Sequence, residues 1–337
     1  MLRGFSGDGV LQQYPSESGH RSGAAIESEI SQEQSLLSLA LVPLEMGTLQ
    51  PGSTSSGRSC TLLMSPAGRK CTMADEKPKL WGAADTYERY MGRWSRKVAP
   101  LFIDWLGAEK AKSWADIGCG TGELSLQIAN KCKPSRAVGI DMSTAFITQA
   151  AERVPSAKFR EGDATNIDLP DGSFDYAVSG LVLNFVPDKA KALSEMARIV
   201  HPSGAVGLYV WDYAGHMQIM RYFFDTAREF DPGSSAYDDG LNAPICRPKP
   251  LSEAFAAAGL SNVETTAIDI TTAFVNFDDY WEPFMDGTGS APKYCVSLDE
   301  ALRNKIRDAV RQKLPTGPDG EILLAVRAWA VKGMVPN

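Results

Sequence analysis

Histidine is scarce in this chain, with three residues in 337, and none of the six cysteines (Cys60, Cys71, Cys119, Cys132, Cys246 and Cys295) forms a C-x-x-C pair. The ligand set for a zinc centre is therefore missing, and a metal-independent protein is expected. The same cysteine spacings offer no disulfide framework, which fits a reducing, cytoplasmic setting. No apolar run approaches the roughly 20 residues needed to cross a bilayer. No Lys/Arg block stands out against a net charge of −7, so the basic footprint of a nucleic-acid partner is missing too. These absences point to a soluble protein that handles small molecules, and they leave its oligomeric state open.

Up to Thr72 the chain is dominated by Ser, Gly and scattered charge, most clearly in LQPGSTSSGRSC. Its apolar residues follow neither a period of 2 nor one of 3.6, apart from one short stretch, SQEQSLLSLALVPLEM. Such a segment buries too little apolar surface to offset its ordering entropy, so residues 1–72 are expected to be a disordered extension. It lacks the basic and apolar regions of a signal peptide, and Glu17, Glu27, Glu29, Glu33 and Glu45 are too many acids for a transit peptide. The working domain is expected over residues 73–337.

In that domain strands and helices alternate. A helix over 84–105 is followed by strands at 113–117, 136–140, 157–161, 174–180 and 205–211, with helices at 123–132, 143–154 and 188–200 between them and a turn at HPSG. Alternation of this kind predicts a parallel sheet covered on both faces, a doubly wound α/β fold whose ligands sit at the carboxyl ends of the strands. Further helices at 215–230, 251–260 and 297–314 and strands at 263–274 and 321–333 complete the pattern. An insertion of about fifty residues lies between the last two strands.

The first strand runs into WADIGCGTGELS, residues 114–125. Glycines there let a backbone approach a ligand and present amides at a helix start. A dinucleotide fingerprint would place its third glycine at 123, where Glu123 stands, and a pyrophosphate would meet both Glu123 and Asp116. A ligand without phosphates is expected, which disfavours an NAD-dependent oxidoreductase. Asp141 closes the second strand in VGIDMS, about 20 residues on, where a carboxylate can accept from two ribose hydroxyls. EGDA, residues 161–164, closes the third.

DIGCGTG with its preceding acid, followed by these strand ends, resembles class I S-adenosylmethionine-dependent methyltransferases. FDYAVSGLVLNFVPD and ALSEMARIVHPSGAVGLYVWD extend the resemblance to the ubiquinone/menaquinone-type (methyltransferase type 11-like) branch. It implies a Rossmann-like, mostly parallel seven-stranded sheet with helical additions, a cofactor-binding core at about 110–212, and substrate-side helices and final strands at about 213–337. It also implies S-adenosylmethionine as cofactor, with Asp116 near its ammonium group and the turn Gly118, Cys119, Gly120, Thr121 and Gly122 against its amino-acid and ribose portion. Asp141 would hold the ribose, Met142 would flank the adenine, and Asp163 and Ala164 would meet the adenine edge. Arg93, on the helix before the core, is a candidate for the cofactor carboxylate.

Methyl transfer places demands on position more than on acid–base chemistry, so a catalytic residue need not be legible. His201 precedes the fifth strand, at the wrong end of the sheet, which leaves His216 as the candidate base. The Asn/Asp-Pro-Pro-aromatic stretch used by many nitrogen methyltransferases is replaced by Ser179, Gly180, Leu181, Val182, Leu183, Asn184 and Phe185. The expected reaction is transfer to oxygen or carbon of a small organic acceptor, with Trp211, Tyr213, Phe223, Phe224, Trp281 and Phe284 as candidate pocket aromatics. The alternative is a non-catalytic, cofactor-binding regulatory protein.

Overall fold

Trp114, Ala115, Asp116 and Ile117 are all buried in strand β1 (Ser113–Ile117), and such a run suits a strand covered on both faces. The computed structural model describes residues 92–337; the expectations for residues 1–72 and for the start of the first helix lie outside the described residues. β1 pairs in parallel with β2 (Arg136–Asp141) on one side and with β4 (Phe174–Gly180) on the other. β3 (Lys158–Glu161) extends the β2 side, and β5 (Val200–Trp211) the β4 side. β6 (Ser261–Phe274) and β7 (Ile322–Met334) complete a seven-stranded sheet of order β3-β2-β1-β4-β5-β7-β6. β7 runs antiparallel to both its neighbours, so the sheet is mostly parallel. The chain leaves β1 toward β3 and returns on the other side as β4. That reversal opens a crevice at the carboxyl ends of β1 and β4.

The helices cover this sheet with the apolar stripes expected of them. α1 (Arg93–Leu106) buries Trp94, Val98, Ala99, Phe102, Ile103 and Leu106 on one side. Gly207 of β5 admits this helix closely, since a Cβ there would lie 3.0 Å from Leu106 and 3.2 Å from Phe102. α2 (Glu123–Cys132), α3 (Thr144–Arg153) and α4 (Lys189–Ile199) follow β1, β2 and β4. α3 and α4 are capped by Ser143 and Asp188, whose side chains accept the amides of Phe146 and Lys191. The expected HPSG turn proves to be an irregular stretch inside β5, where Ser203 adopts φ 66° and the register with β4 shifts.

After β5 come α5 (Gln218–Phe230), two short helical turns, and α6 (Pro248–Ala257). The insertion between β6 and β7 is helical: α7 (Phe277–Trp281), α8 (Ser290–Ser297) and α9 (Glu300–Lys313). It packs on α5 through Phe223, stacked on Phe284 at 4.6 Å, and within the insertion Trp281 stacks on Phe284 at 5.7 Å. Phe223, Phe224 and Phe284 are almost completely buried and lie outside the lining of the cavity at the strand ends, so these aromatics form the core of the helical addition rather than a ligand wall. Burying each contributes about 2–3 kcal/mol from apolar area alone.

At the amino ends of the strands, the Asp175 carboxylate of β4 accepts from the Ser113 amide and hydroxyl and contacts His201 Nε2 at 3.0 Å. Burial pushes Asp175 upward but is outweighed by Ser113, His201 and Lys112, which hold it below its ordinary range; the Asp175 contact raises His201. The histidine's contribution to stability is complete below its unfolded pKa of about 6.5 and is lost as pH rises through the raised folded value. The pair is partly exposed and its effect accordingly small. His201→Gln is expected to lower the melting temperature by about 1–3 °C at pH 5.5 and by less at pH 8.5, as thermal denaturation at the two pH values would show.

Candidate active site

The turn between β1 and α2 is held by the neighbouring strand. The Gly118 and Cys119 amides both donate to the Ile140 carbonyl of β2, at 2.7 and 3.0 Å, and the Gly120 amide donates to Asp141 Oδ2 at 2.9 Å. Gly118, Gly120 and Gly122 all have positive φ (71°, 53° and 85°), a region that favours glycine. At Gly118 there is a second constraint, because a Cβ would lie 2.6 Å from both γ-carbons of Val182 in the segment after β4. At Gly122 a Cβ would lie 3.1 Å from Ala150 of α3.

A cavity opens at this turn, at the carboxyl ends of β1, β2, β4 and β5. Its polar side is formed by Asp116, the turn residues 118–121, Glu123 and Asp141. Its apolar side includes Phe146, Leu181, Val182, Phe185, Trp211 and Tyr213, with Tyr209 and Ser95 also in the lining. Leu181 has φ 63°, rare for a residue with a side chain, and its amide donates to the Tyr209 carbonyl at 2.8 Å. Gly180 beside it leaves room for the Tyr209 phenol, whose oxygen would lie 2.6 Å from a Cβ.

Asp116 is 2% exposed. Its Oδ2 accepts the Ser125 hydroxyl at 2.6 Å, while Oδ1 is buried with no donor among the described residues. Burial pushes this carboxyl up to about 7; Ser125 pulls the other way and the nearby Asp141 adds to the rise. Asp141 is less buried and accepts the Gly120 and Ser143 amides, both at 2.9 Å. Burial raises it too, against those amides and that of Met142. Glu123 differs, because Arg153 pairs with it closely and Gln127 donates to it at 2.9 Å. The acidity that disfavours a phosphate therefore rests on Asp116 and Asp141.

The other expected site residues stand apart from this lining. Met142 is 73% exposed, one residue beyond Asp141. Asp163 is exposed and accepts the amide and hydroxyl of Thr165 at 2.8 and 2.9 Å; Ala164 beside it is half-buried. Both follow β3, whose Glu161 pairs with Asp141. Arg93 ion-pairs with Asp279 of α7 at 3.0 Å and lies over the rings of Trp94 and Phe274. His201 lies at the amino end of β5, far along the strand from Trp211. His216 is exposed, with Nδ1 3.4 Å from Asp212 Oδ2 and its carbonyl bonded to the Arg327 amide of β7. Ser125, Leu181, Phe146 and Phe185 are among the lining or supporting residues that the motifs missed. Leu181 carries no local signal, since nothing in its identity announces a left-handed backbone.

A buried acid with an unpartnered oxygen, a glycine turn open to close approach and a second acid at the next strand end suit a ligand that carries a cation and a diol. Residues 115–208 match the methyltransferase domain family. The chain is 29% identical over 215 residues to the trans-aconitate 2-methyltransferase of Deinococcus radiodurans, covering 61% of this chain and 80% of that protein. It is 31% identical over 229 residues to an uncharacterised 37.1 kDa protein of a Streptomyces fradiae transposon, covering 63% of each. It is 35% identical over 107 residues to the demethylmenaquinone methyltransferase of a Geobacillus strain, covering 30% of this chain and 46% of that protein. The chain thus spans less than two thirds of the latter two relatives. Residues 115–208 thus form a methyltransferase domain.

Asp141→Ala removes a carboxylate of the cavity lining and also unties the Gly120 amide. It is expected to weaken binding of S-adenosylhomocysteine about 100-fold, as measured by calorimetry on folded protein.

Proposed function

We propose that this methyltransferase acts in the cytoplasm on a small organic acceptor with a flat apolar face, methylating it at oxygen or carbon. The observation that carries the reading is the apolar and aromatic part of the cavity lining, Leu181, Val182, Phe185, Trp211 and Tyr213. Apolar and aromatic walls with a few placed polar groups favour an acceptor of the same character. The four free, buried cysteines of the described residues suit a reducing compartment. No helix among the described residues is long and apolar enough to cross a membrane.

When bound, the cofactor supplies a methyl group on a sulfonium, already activated for in-line displacement. The protein then has to hold both partners, align the acceptor atom about 3 Å from the methyl carbon and keep water out. In this reading Asp116 Oδ1 takes the ammonium group, Asp141 the ribose hydroxyls, and the turn Gly118–Gly122 admits the rest closely. Asp141 pairs across to the end of β3, so an adenine would extend past Met142 toward Asp163 and Ala164. The segment after β4 supports oxygen or carbon as the acceptor atom. It has no Pro-Pro-aromatic grip for an amino group, and the Ser179 hydroxyl is already committed to the Ile117 carbonyl at 2.7 Å.

The test is incubation of the protein with S-adenosylmethionine and a metabolite extract, followed by mass spectrometry. A gain of about 14 mass units on an aromatic or apolar compound is expected, with fragmentation placing it on oxygen or carbon. Methyl gain confined to amines would overturn the assignment of the atom. Tyr213→Ala should raise KM for that acceptor about tenfold and leave S-adenosylhomocysteine affinity unchanged. The His216 imidazole lies against Asp212 and outside the cavity lining, so His216→Ala is expected to leave kcat unchanged across neutral pH.

A further inference from the structure

Asp116 sits at the end of β1 with its two oxygens in opposite circumstances. Oδ2 is fixed by the Ser125 hydroxyl at 2.6 Å; Oδ1 is buried in the cavity lining without a donor among the described residues. Ser125 is itself 2% exposed, in the first turn of α2, nine residues along the chain from the acid. A desolvated carboxylate oxygen without a partner is costly unless a ligand supplies one. A carboxylate free to rotate about its last bond would present that oxygen in many directions, and the Ser125 contact removes that freedom.

We infer that Ser125 is a positioning residue of the cofactor site: its hydroxyl holds one oxygen of Asp116 and so aims the other at the cofactor's cationic amino group. The inference rests on the methyltransferase reading given above. It carries a consequence for pH, because the oxygen that receives a cation must not hold a proton. The groups facing Asp116 among the described residues are Asp141 from β2, the Cys119 thiol from the turn, and Ser125 from α2, with Glu123 close by and paired to Arg153. Burial and Asp141 push the acid up to about 7, and Ser125 draws it down. Cofactor affinity therefore falls as pH drops below neutrality. Removing the hydroxyl takes away the larger of the two Ser125 contacts that lower the acid, the backbone amide being the other, and moves that fall to higher pH.

Calorimetry on the full chain with S-adenosylhomocysteine between pH 6 and 8.5 tests this. Wild type should weaken about tenfold from pH 7.5 to pH 6. Ser125→Ala should bind about five- to tenfold more weakly at pH 7, with the midpoint of the profile raised by about one unit. Ser125→Thr, which keeps the hydroxyl, should restore the wild-type midpoint. Titration of the ligand's own amine is common to all variants and cancels in the comparison. If the alanine variant does not fold, Ser125→Cys, close in size but a poor donor, should show the same shift. An unchanged affinity and midpoint in the alanine variant overturns the role of Ser125. So does a loss of affinity that is equal at every pH, which would mean simple loosening. Wild-type protein that fails to bind S-adenosylhomocysteine at any pH overturns the cofactor reading itself.

Discussion

Three amides of the turn after β1 donate into the end of β2, two to the Ile140 carbonyl and one to the Asp141 carboxylate. The placement of the polar groups around the cavity follows from that stitch. It forces the backbone through positive φ at Gly118, Gly120 and Gly122 and sets the direction in which α2 departs. Because α2 starts there, Ser125 falls beside Asp116. Because Asp141 is occupied by backbone amides, its carboxylate is oriented before any ligand arrives. A pre-oriented acid loses less freedom on binding, which is the physical advantage of building the site on strand ends.

The opposite wall depends on a different constraint. Val182 presses on the turn so closely that Gly118 has no room for a side chain, and the chain reaches that contact by taking Leu181 through a left-handed backbone. Conformations of this kind cost about 1–3 kcal/mol and persist where surrounding structure enforces them. Here the enforcement comes from the Leu181 amide bonded to Tyr209 and from the Tyr209 phenol passing over Gly180. The segment after β4 thus belongs both to the cofactor turn and to the apolar wall, and joins the two halves of the cavity.

Much of the core was legible. Every strand of the α/β core except β3, whose KFRE is mostly charged, was marked by a short β-branched or apolar run, and each strand-end acid by a glycine or a cap beside it, so the alternation and the crevice could be read without coordinates. The irregularity inside β5 was less legible: Pro202 and Gly204 signal a turn, yet pairing with β4 and β7 resumes around them. The aromatic residues of the helical addition misled for a simpler reason. Periodicity shows that Phe223, Trp281 and Phe284 face something apolar, but a neighbouring helix and a bound molecule are equally apolar. Similarly, the charge at Glu123 was visible, whereas Arg153, thirty residues away, was not visibly its partner.

By itself the sequence determined the order of the elements, the glycine turn and the acids at 116, 141 and 163, because these depend on local backbone requirements and on periods of 2 and 3.6. Tertiary structure decided which acid is buried with an oxygen to spare, which aromatics line the cavity and which residue bears strain. Those outcomes are set by what packs against each group from elsewhere in the chain, and desolvation, ion pairing and steric contact between distant segments leave no trace in local spacing.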